Sequence, residues 1–234
     1  MKIKKDIIIS INVHEKPDFL LKQINNIKDY LKLNYVIILN CNDYMYEELK
    51  NKNEFKDVIL NPEVINKKRF TGTLLKGIYS NLELALNKYD FKYFLVLSSR
   101  NMFYNELTFD KCQKIKKITG GYKIIDKCNN WHWPSFLKTE LGKYMIKNNW
   151  ILSCNAHEGL MLDITLCNTV MIFFQKNNFK ENLFNWNHVV EEFALQCICI
   201  NRKGYYYNIG NGIYTHLNPY LLPNDKYVYK ILRI

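Results

Sequence analysis

The chain has few of the residues that punctuate or staple a fold. Five prolines and nine glycines in 234 residues exclude a linker-rich or collagen-like chain. No repeat, Ser/Pro-rich stretch or composition shift marks a boundary, so one domain with a sizeable core is expected. Seven cysteines, at positions 41, 112, 128, 154, 167, 197 and 199, form no C-x-x-C pair. Their odd number and scatter point to buried free thiols in a reducing compartment. Cys197-x-Cys199 with His188 fits no common zinc spacing. Apolar runs are also short. Those at 7–13 and 93–97 are strand-length, well below the ~20 residues of a membrane span. No charged–apolar–small pattern opens the chain, so neither signal peptide nor transmembrane segment is expected. The expected location is the cytoplasm of a bacterium, or of a host cell if the chain is viral. No RRM, zinc-finger or P-loop signature is present.

What the chain does contain is apolar and aromatic mass. Hydrophobic residues make up 48%, with 17 Tyr, 13 Phe and 4 Trp, which excludes a disordered polar chain. A formal net charge of +11 favours anionic partners. The lysines are dispersed, and the densest group, Lys111, Lys114, Lys116 and Lys117, falls at helical spacing as a solvated face. No nucleic-acid partner is therefore expected, and a non-catalytic basic binding module is the lesser alternative to an enzyme.

The order of elements is α/β. Asp6-Ile7-Ile8-Ile9-Ser10-Ile11-Asn12-Val13 reads as a first strand, and Pro17 suits the first turn of a helix. Leu20, Ile24, Ile27 and Leu31 recur at helical spacing before a second strand, Tyr35-Val36-Ile37-Ile38-Leu39. This β-α-β opening predicts a parallel sheet. Thr73 is placed as the cap of the next helix, with Leu74, Leu75, Ile78, Leu82 and Leu86 on one face. A third, buried strand at 93–97 ends abruptly in Ser98-Ser99-Arg100-Asn101. Ligands collect at the carboxyl ends of strands in open α/β sheets, so this polar tip is a candidate ligand contact. The rest reads as a helix over 110–118, a loop around Trp131-His132-Trp133-Pro134 and mixed signals over 160–174. A helix over 187–200, a strand at 205–207 and an apolar tail from Tyr227 follow.

In this order the segments resemble the core-2/I-branching glycosyltransferase family. Its opening strand ends Val-His-x-Lys, as in Val13-His14-Glu15-Lys16. Its aromatic-Leu-x-Leu-Ser-Gly-x-Asp-aromatic-Pro motif is similar to Tyr93-Phe94-Leu95-Val96-Leu97-Ser98-Ser99-Arg100-Asn101-Met102-Phe103, with Asn101 in place of Asp and no Pro. Its Pro-Asp-Glu-aromatic motif resembles Val190-Glu191-Glu192-Phe193, and its basic C-terminal motif resembles Val228-Tyr229-Lys230-Ile231-Leu232. The resemblance implies a GT-A-like, Rossmann-type nucleotide-sugar-binding sheet in a single domain. Residues 1–110 would form the nucleotide-binding half, and 111–234 the acceptor-binding half with its basic tail. It implies inverting transfer from a nucleotide-sugar donor, UDP-linked by the same resemblance, to a glycan or glycoprotein hydroxyl. Neither metal nor cofactor is implied. Glu192 takes the place of the general base and Lys230 that of the phosphate partner.

The chemistry asks for the same residue types. An acceptor hydroxyl loses its proton to a carboxylate, and the leaving diphosphate needs fixed cations or a metal. No Asp-x-Asp stands at the strand tip, so Arg100, Lys230 and Arg233 are the candidate cations. Glu191 and Glu192 lie about 100° apart on a helix, so one is expected to face the ligand and the other water. Carboxylates in a first helical turn are favoured without any ligand as well. His14, Asn42 and Asp43 end strands where a nucleoside would lie. Asn101, Trp131, Trp133, Glu158 and Glu191 are candidate substrate contacts, the tryptophans as stacking faces. A metal-dependent transferase using Asp43 or another carboxylate is the alternative within enzymes.

Overall fold

A computed structural model describes residues 1–115, 123–124, 133–154, 157–202, 206–214 and 226–231. Its first long strand, β1 (Ile7–Asn12), is buried throughout. Helix α1 (Pro17–Tyr30) follows, with Pro17 in the first turn, where a missing N–H costs nothing. Leu20, Ile24 and Ile27 turn inward from it at helical spacing. Next come β2 (Tyr35–Asn40), α2 (Asp43–Leu49) and the short β3 (Ile59–Leu60). Helix α3 (Thr73–Lys88) leads into β4 (Tyr93–Ser98), and a tight turn into β5 (Asn101–Phe103). After α4 (Phe109–Ile115) and α5 (Glu140–Lys147), β6 (Leu160–Asp163) runs directly into α6 (Ile164–Asn177). Asp163 caps α6 by accepting a hydrogen bond from the Leu166 amide at 2.8 Å. Helices α7 (Lys180–Phe184) and α8 (Glu191–Asn201) and strands β7 (Tyr206–Asn208), β8 (Gly210–Tyr214) and β9 (Val228–Ile231) complete the described chain.

The main sheet is mixed and runs β7-β6-β4-β1-β2-β3. Strand β1 pairs in parallel with β2 and β4, and β2 in parallel with β3. Strand β6 is antiparallel to both β4 and β7. The parallel core follows from the β-α-β order of the sequence, because parallel neighbours need a long crossover. A second sheet, β8-β9-β5, ties the end of the chain to the segment just beyond β4.

Side-chain alternation divides the core in two. Ile8, Val36, Ile38, Phe94, Val96, Leu160 and Leu162 pack on the face with α3, α6 and α8. Ile7, Ile9, Ile11, Ile37, Leu39, Leu95 and Met161 pack on the other, with α1 and α2. Burial on both faces is why these strands read as continuous apolar runs rather than alternating ones.

Several expectations are refined. Thr73 is the first residue of α3 rather than its cap. Gly72 holds the cap position, and the Thr73 hydroxyl instead accepts from the Lys68 amide at 2.9 Å. The mixed signals over 160–174 resolve into β6 followed by α6. The helix expected over 187–200 starts only at Glu191, and the strand at Tyr206, with Tyr205 outside the described residues. The tail packs down as expected, Val228 to Lys230 pairing with Phe103 to Asn101. Cys41, Cys112, Cys154, Cys167, Cys197 and Cys199 are free thiols, and Cys128 lies outside the described residues. No helix among the described residues is long and apolar enough to cross a membrane.

Candidate active site

Polar residues take over where the parallel strands end. Asn12, Asn40 and Ser98 are register partners at the carboxyl ends of β1, β2 and β4, and all three are buried. Helix α3 comes down onto this edge, where Asn12 Nδ2 donates to the Leu74 carbonyl at 2.9 Å. The approach requires Gly77, because a Cβ there would lie 2.2 Å from Asn12 Oδ1 and 3.2 Å from Asn40 Oδ1.

The strand tip uses most of its polarity on itself. Asn101 Oδ1 accepts from the Ser98 amide at 2.7 Å and its hydroxyl at 3.1 Å, while Asn101 Nδ2 donates to the Tyr229 carbonyl at 3.3 Å. From α1, Gln23 Nε2 donates to the Ser98 and Asn101 carbonyls at 2.8 and 2.7 Å. Ser99 Oγ accepts from the His14 amide at 3.2 Å. Asn101, placed among the substrate contacts on sequence grounds, is 2% exposed and has both ends of its amide committed, one to Ser98 in the turn and one to Tyr229 of β9. Arg100 is the one residue of the tip that is not buried.

Two groups of charges form around that arginine. In the first, Arg100 Nε lies 3.4 Å from Glu15 Oε1, and His14 Nε2 lies 3.7 Å from the same oxygen. Arg100 Nη1 also donates to the Ile231 carbonyl at 3.1 Å, on β9. The second group sits where β6 begins, beside the end of β4, the Gly159 amide donating to the Val96 carbonyl at 2.8 Å. There the Lys230 ammonium donates to Glu158 Oε1, and His157 Nδ1 lies 3.6 Å from Glu158 Oε2. Burial would raise the Glu158 pKa, but the charges of His157 and Lys230 outweigh it and hold it down at about 2. Strand β9 joins the groups, since Lys230 serves one and Ile231 the other.

Helix α8 presents the two glutamates differently. Glu191 is 2% exposed, and its Oε2 accepts from the Val190 amide at 3.1 Å. Burial pushes its pKa up to about 7 against the pull of His157, and the neighbouring Glu192 adds a like charge. Glu192 is part-exposed. The helix therefore separates the pair as its geometry requires, one carboxylate inward and one outward.

The other sequence candidates fall as follows. Asn42 caps α2, its Oδ1 accepting from the Met45 amide at 2.9 Å. Asp43 is exposed and exchanges hydrogen bonds with Asn66, Nδ2 to Asp43 Oδ2 at 2.6 Å and the Asp43 amide to Asn66 Oδ1 at 3.2 Å. Trp131 and Arg233 lie outside the described residues, as does the side chain of Trp133, which opens a single helical turn. Among the described residues no three His, Cys, Asp or Glu side chains are grouped to hold a metal ion. The sequence reading missed Gln23, which braces the tip from 75 positions away, and Lys67, which seals the end of β2. The run Lys67-Lys68-Arg69 was the available signal for the second. Comparison of the chain with models of protein families and with curated proteins finds no match.

Proposed function

We propose that the carboxyl edge of this sheet is the site of an inverting glycosyl transfer from a nucleotide-sugar donor, UDP-linked in the reading above, in a GT-A-like fold. The observation that carries the proposal is the meeting of Arg100 and β9. A guanidinium at the strand tip and an ammonium 130 residues later share one edge with buried strand-end amides, with Glu158 just before β6, and, through His157, with Glu191 of α8. That edge is where open α/β sheets take their ligands.

In this reading the acceptor hydroxyl gives its proton to Glu192 as its oxygen bonds to the anomeric carbon of the sugar. The bond from that carbon to the diphosphate breaks, and the diphosphate leaves with the electron pair. Arg100 and Lys230 supply the compensating charge. Each already faces a carboxylate, Glu15 or Glu158. An arginine carries five N–H donors and a lysine three, enough to bridge a carboxylate and a phosphate together.

Transfer or donor hydrolysis, measured across nucleotide sugars with and without EDTA, tests the proposal. Activity that survives the chelator and falls by about 10²–10⁴ in Glu192→Gln is expected. Activity abolished by EDTA would overturn the cation-only account, and full activity in Glu192→Gln would remove the base.

A further inference from the structure

The segment between β3 and α3 is pinned along the end of β2. The Asn61 amide donates to the Leu39 carbonyl at 2.9 Å and the Ile65 amide to the Cys41 carbonyl at 3.0 Å. Asn40 Nδ2 donates to the Glu63 carbonyl at 2.9 Å. Beneath it lies a buried polar chain. Asn61 Nδ2 reaches Ser80 Oγ and Asn81 Oδ1 at 2.9 and 2.8 Å, and Asn81 Nδ2 reaches Ser10 Oγ at 3.0 Å. The Asn66–Asp43 exchange ties the segment to α2, and the Thr71 hydroxyl, donating to the Lys68 carbonyl at 2.9 Å, tightens the turn into α3. A loop held this firmly places its side chains with little left to lose on binding.

Lys67 is the outcome of that placement. Its ammonium donates to the Asn40 carbonyl at 2.9 Å, to Asn40 Oδ1 at 2.8 Å and to the Ile65 carbonyl at 3.2 Å. All three acceptors are neutral, and no carboxylate among the described residues pairs with it. Burial lowers its pKa to about 8. A cation drawn out of water with no counter-charge is costly, and an anion beside it recovers that cost. A phosphate oxygen also outcompetes a carbonyl, because hydrogen bonds between ionised partners are roughly twice as strong. Next in the loop, Lys68 and Arg69 are exposed. The Arg69 guanidinium stacks 4.4 Å above the ring of Phe70. Phe70 is itself 43% exposed and has a left-handed backbone, φ 58°. A bulky side chain in that conformation is strained, and such strain collects at ligand-binding sites.

We infer that Lys67, with Arg69 fixed on Phe70, forms a phosphate-binding subsite at the end of β2, across the edge from Arg100 and Lys230. The inference rests on the reading that this edge takes a phosphorylated ligand, and it adds where a phosphate sits. From Asn40 to Ser98 is two strand spacings, about 10 Å, so the subsite is separate from the cations at the tip of β4.

Calorimetric titration with inorganic pyrophosphate and with UDP, on the wild-type chain and on Lys67→Met, Lys67→Arg and Arg69→Ala, tests it. Lys67→Met should weaken both ligands by roughly tenfold or more, Lys67→Arg by less, and Arg69→Ala by about threefold, each the loss of one charge-assisted contact. Unchanged affinity in Lys67→Met would overturn the subsite and leave the nucleotide reading standing. Pyrophosphate binding that depends on Lys67, with no binding of UDP, would uphold the subsite and end that reading. Wild-type protein that binds neither ligand overturns both. Should Lys67→Met fail to fold, Arg69→Ala decides, because its side chain lies on the surface: unchanged affinity there overturns the subsite.

Discussion

Replacing Glu191 by Gln should stabilise the protein at pH 8 and leave it nearly unaffected at pH 4.5. In the folded chain the Glu191 carboxyl is buried and its pKa stands near 7, raised from an ordinary 4.5. The folded state therefore holds a proton that the unfolded state has released between those two values. Stability falls as pH rises through that window, because the folded form binds more protons there. At about 1.4 kcal/mol for each tenfold change in proton affinity, the rise costs about 3 kcal/mol once both states are ionised. Glutamine keeps an oxygen for the Val190 amide, the hydrogen bond that Glu191 accepts at 3.1 Å, and has no charge to bury. Urea denaturation of both proteins from pH 4.5 to 8 measures the effect. Other titrating groups largely cancel in the difference, which should grow from near zero to about 3 kcal/mol in favour of Glu191→Gln. A difference that stays flat across that range would refute the buried, proton-holding carboxyl.

The Glu158–Lys230 pair should titrate at the other end of the scale. The Glu158 pKa is held at about 2, below its ordinary 4.5. The pair's contribution is therefore full above pH 4.5 and lost as pH falls towards 2, about 3 kcal/mol in all. Glu158→Gln should lose about that much at pH 7 and almost nothing at pH 2, read from denaturation midpoints at the two values. An equal loss at both would mean the carboxylate is not held by charge. Gly77→Ala puts a Cβ 2.2 Å from Asn12 Oδ1 and should cost about 1–3 kcal/mol, seen as a lower urea midpoint. An unchanged midpoint would show that α3 does not approach the strand ends this closely.

What could be read from the sequence was what repeats over short distances. Strands β1, β2 and β4 announced themselves because burial on both faces leaves an unbroken apolar run, and α1 and α3 because their inward residues recur every three or four positions. The polar tip was visible too, but its use was not. Whether Ser98 and Asn101 face a ligand or each other depends on Gln23, on helix α1 and 75 positions before Ser98. The two glutamates show the same limit. Helix geometry requires them to diverge, yet only the packing of α8 onto the sheet decides that Glu191 goes inward. Thr73 was legible as a polar residue near a helix start, and a one-residue difference in where α3 begins removed its cap role, whereas Asn42, read as the polar end of a strand, sits before a helix that the sequence did not announce. Asn42 caps α2, while Thr73 lies inside the first turn of α3.

Pairing across the edge also alters which cation matters before any ligand arrives. Arg100 faces Glu15 and Lys230 faces Glu158, so the formal charges of these four side chains cancel. Ion pairs of this kind hold strands β5 and β9 against the sheet and keep each charge from standing alone in a desolvated place. They also lower the field that a diphosphate would meet on that side. Lys67 is different, since its three acceptors are carbonyl and amide oxygens and none carries charge. Among these cations Lys67, at the end of β2, is therefore the one held only by neutral acceptors, whereas those at the tip of β4 and on β9 face carboxylates. In the proposed transfer, attraction of the diphosphate would begin at Lys67, and Arg100 and Lys230 would enter as the anion displaced or shared their carboxylates. That order would matter for the proposed chemistry. Cations that become available only as negative charge builds on the leaving group stabilise the transition state more than the bound donor, and that difference is what accelerates a reaction.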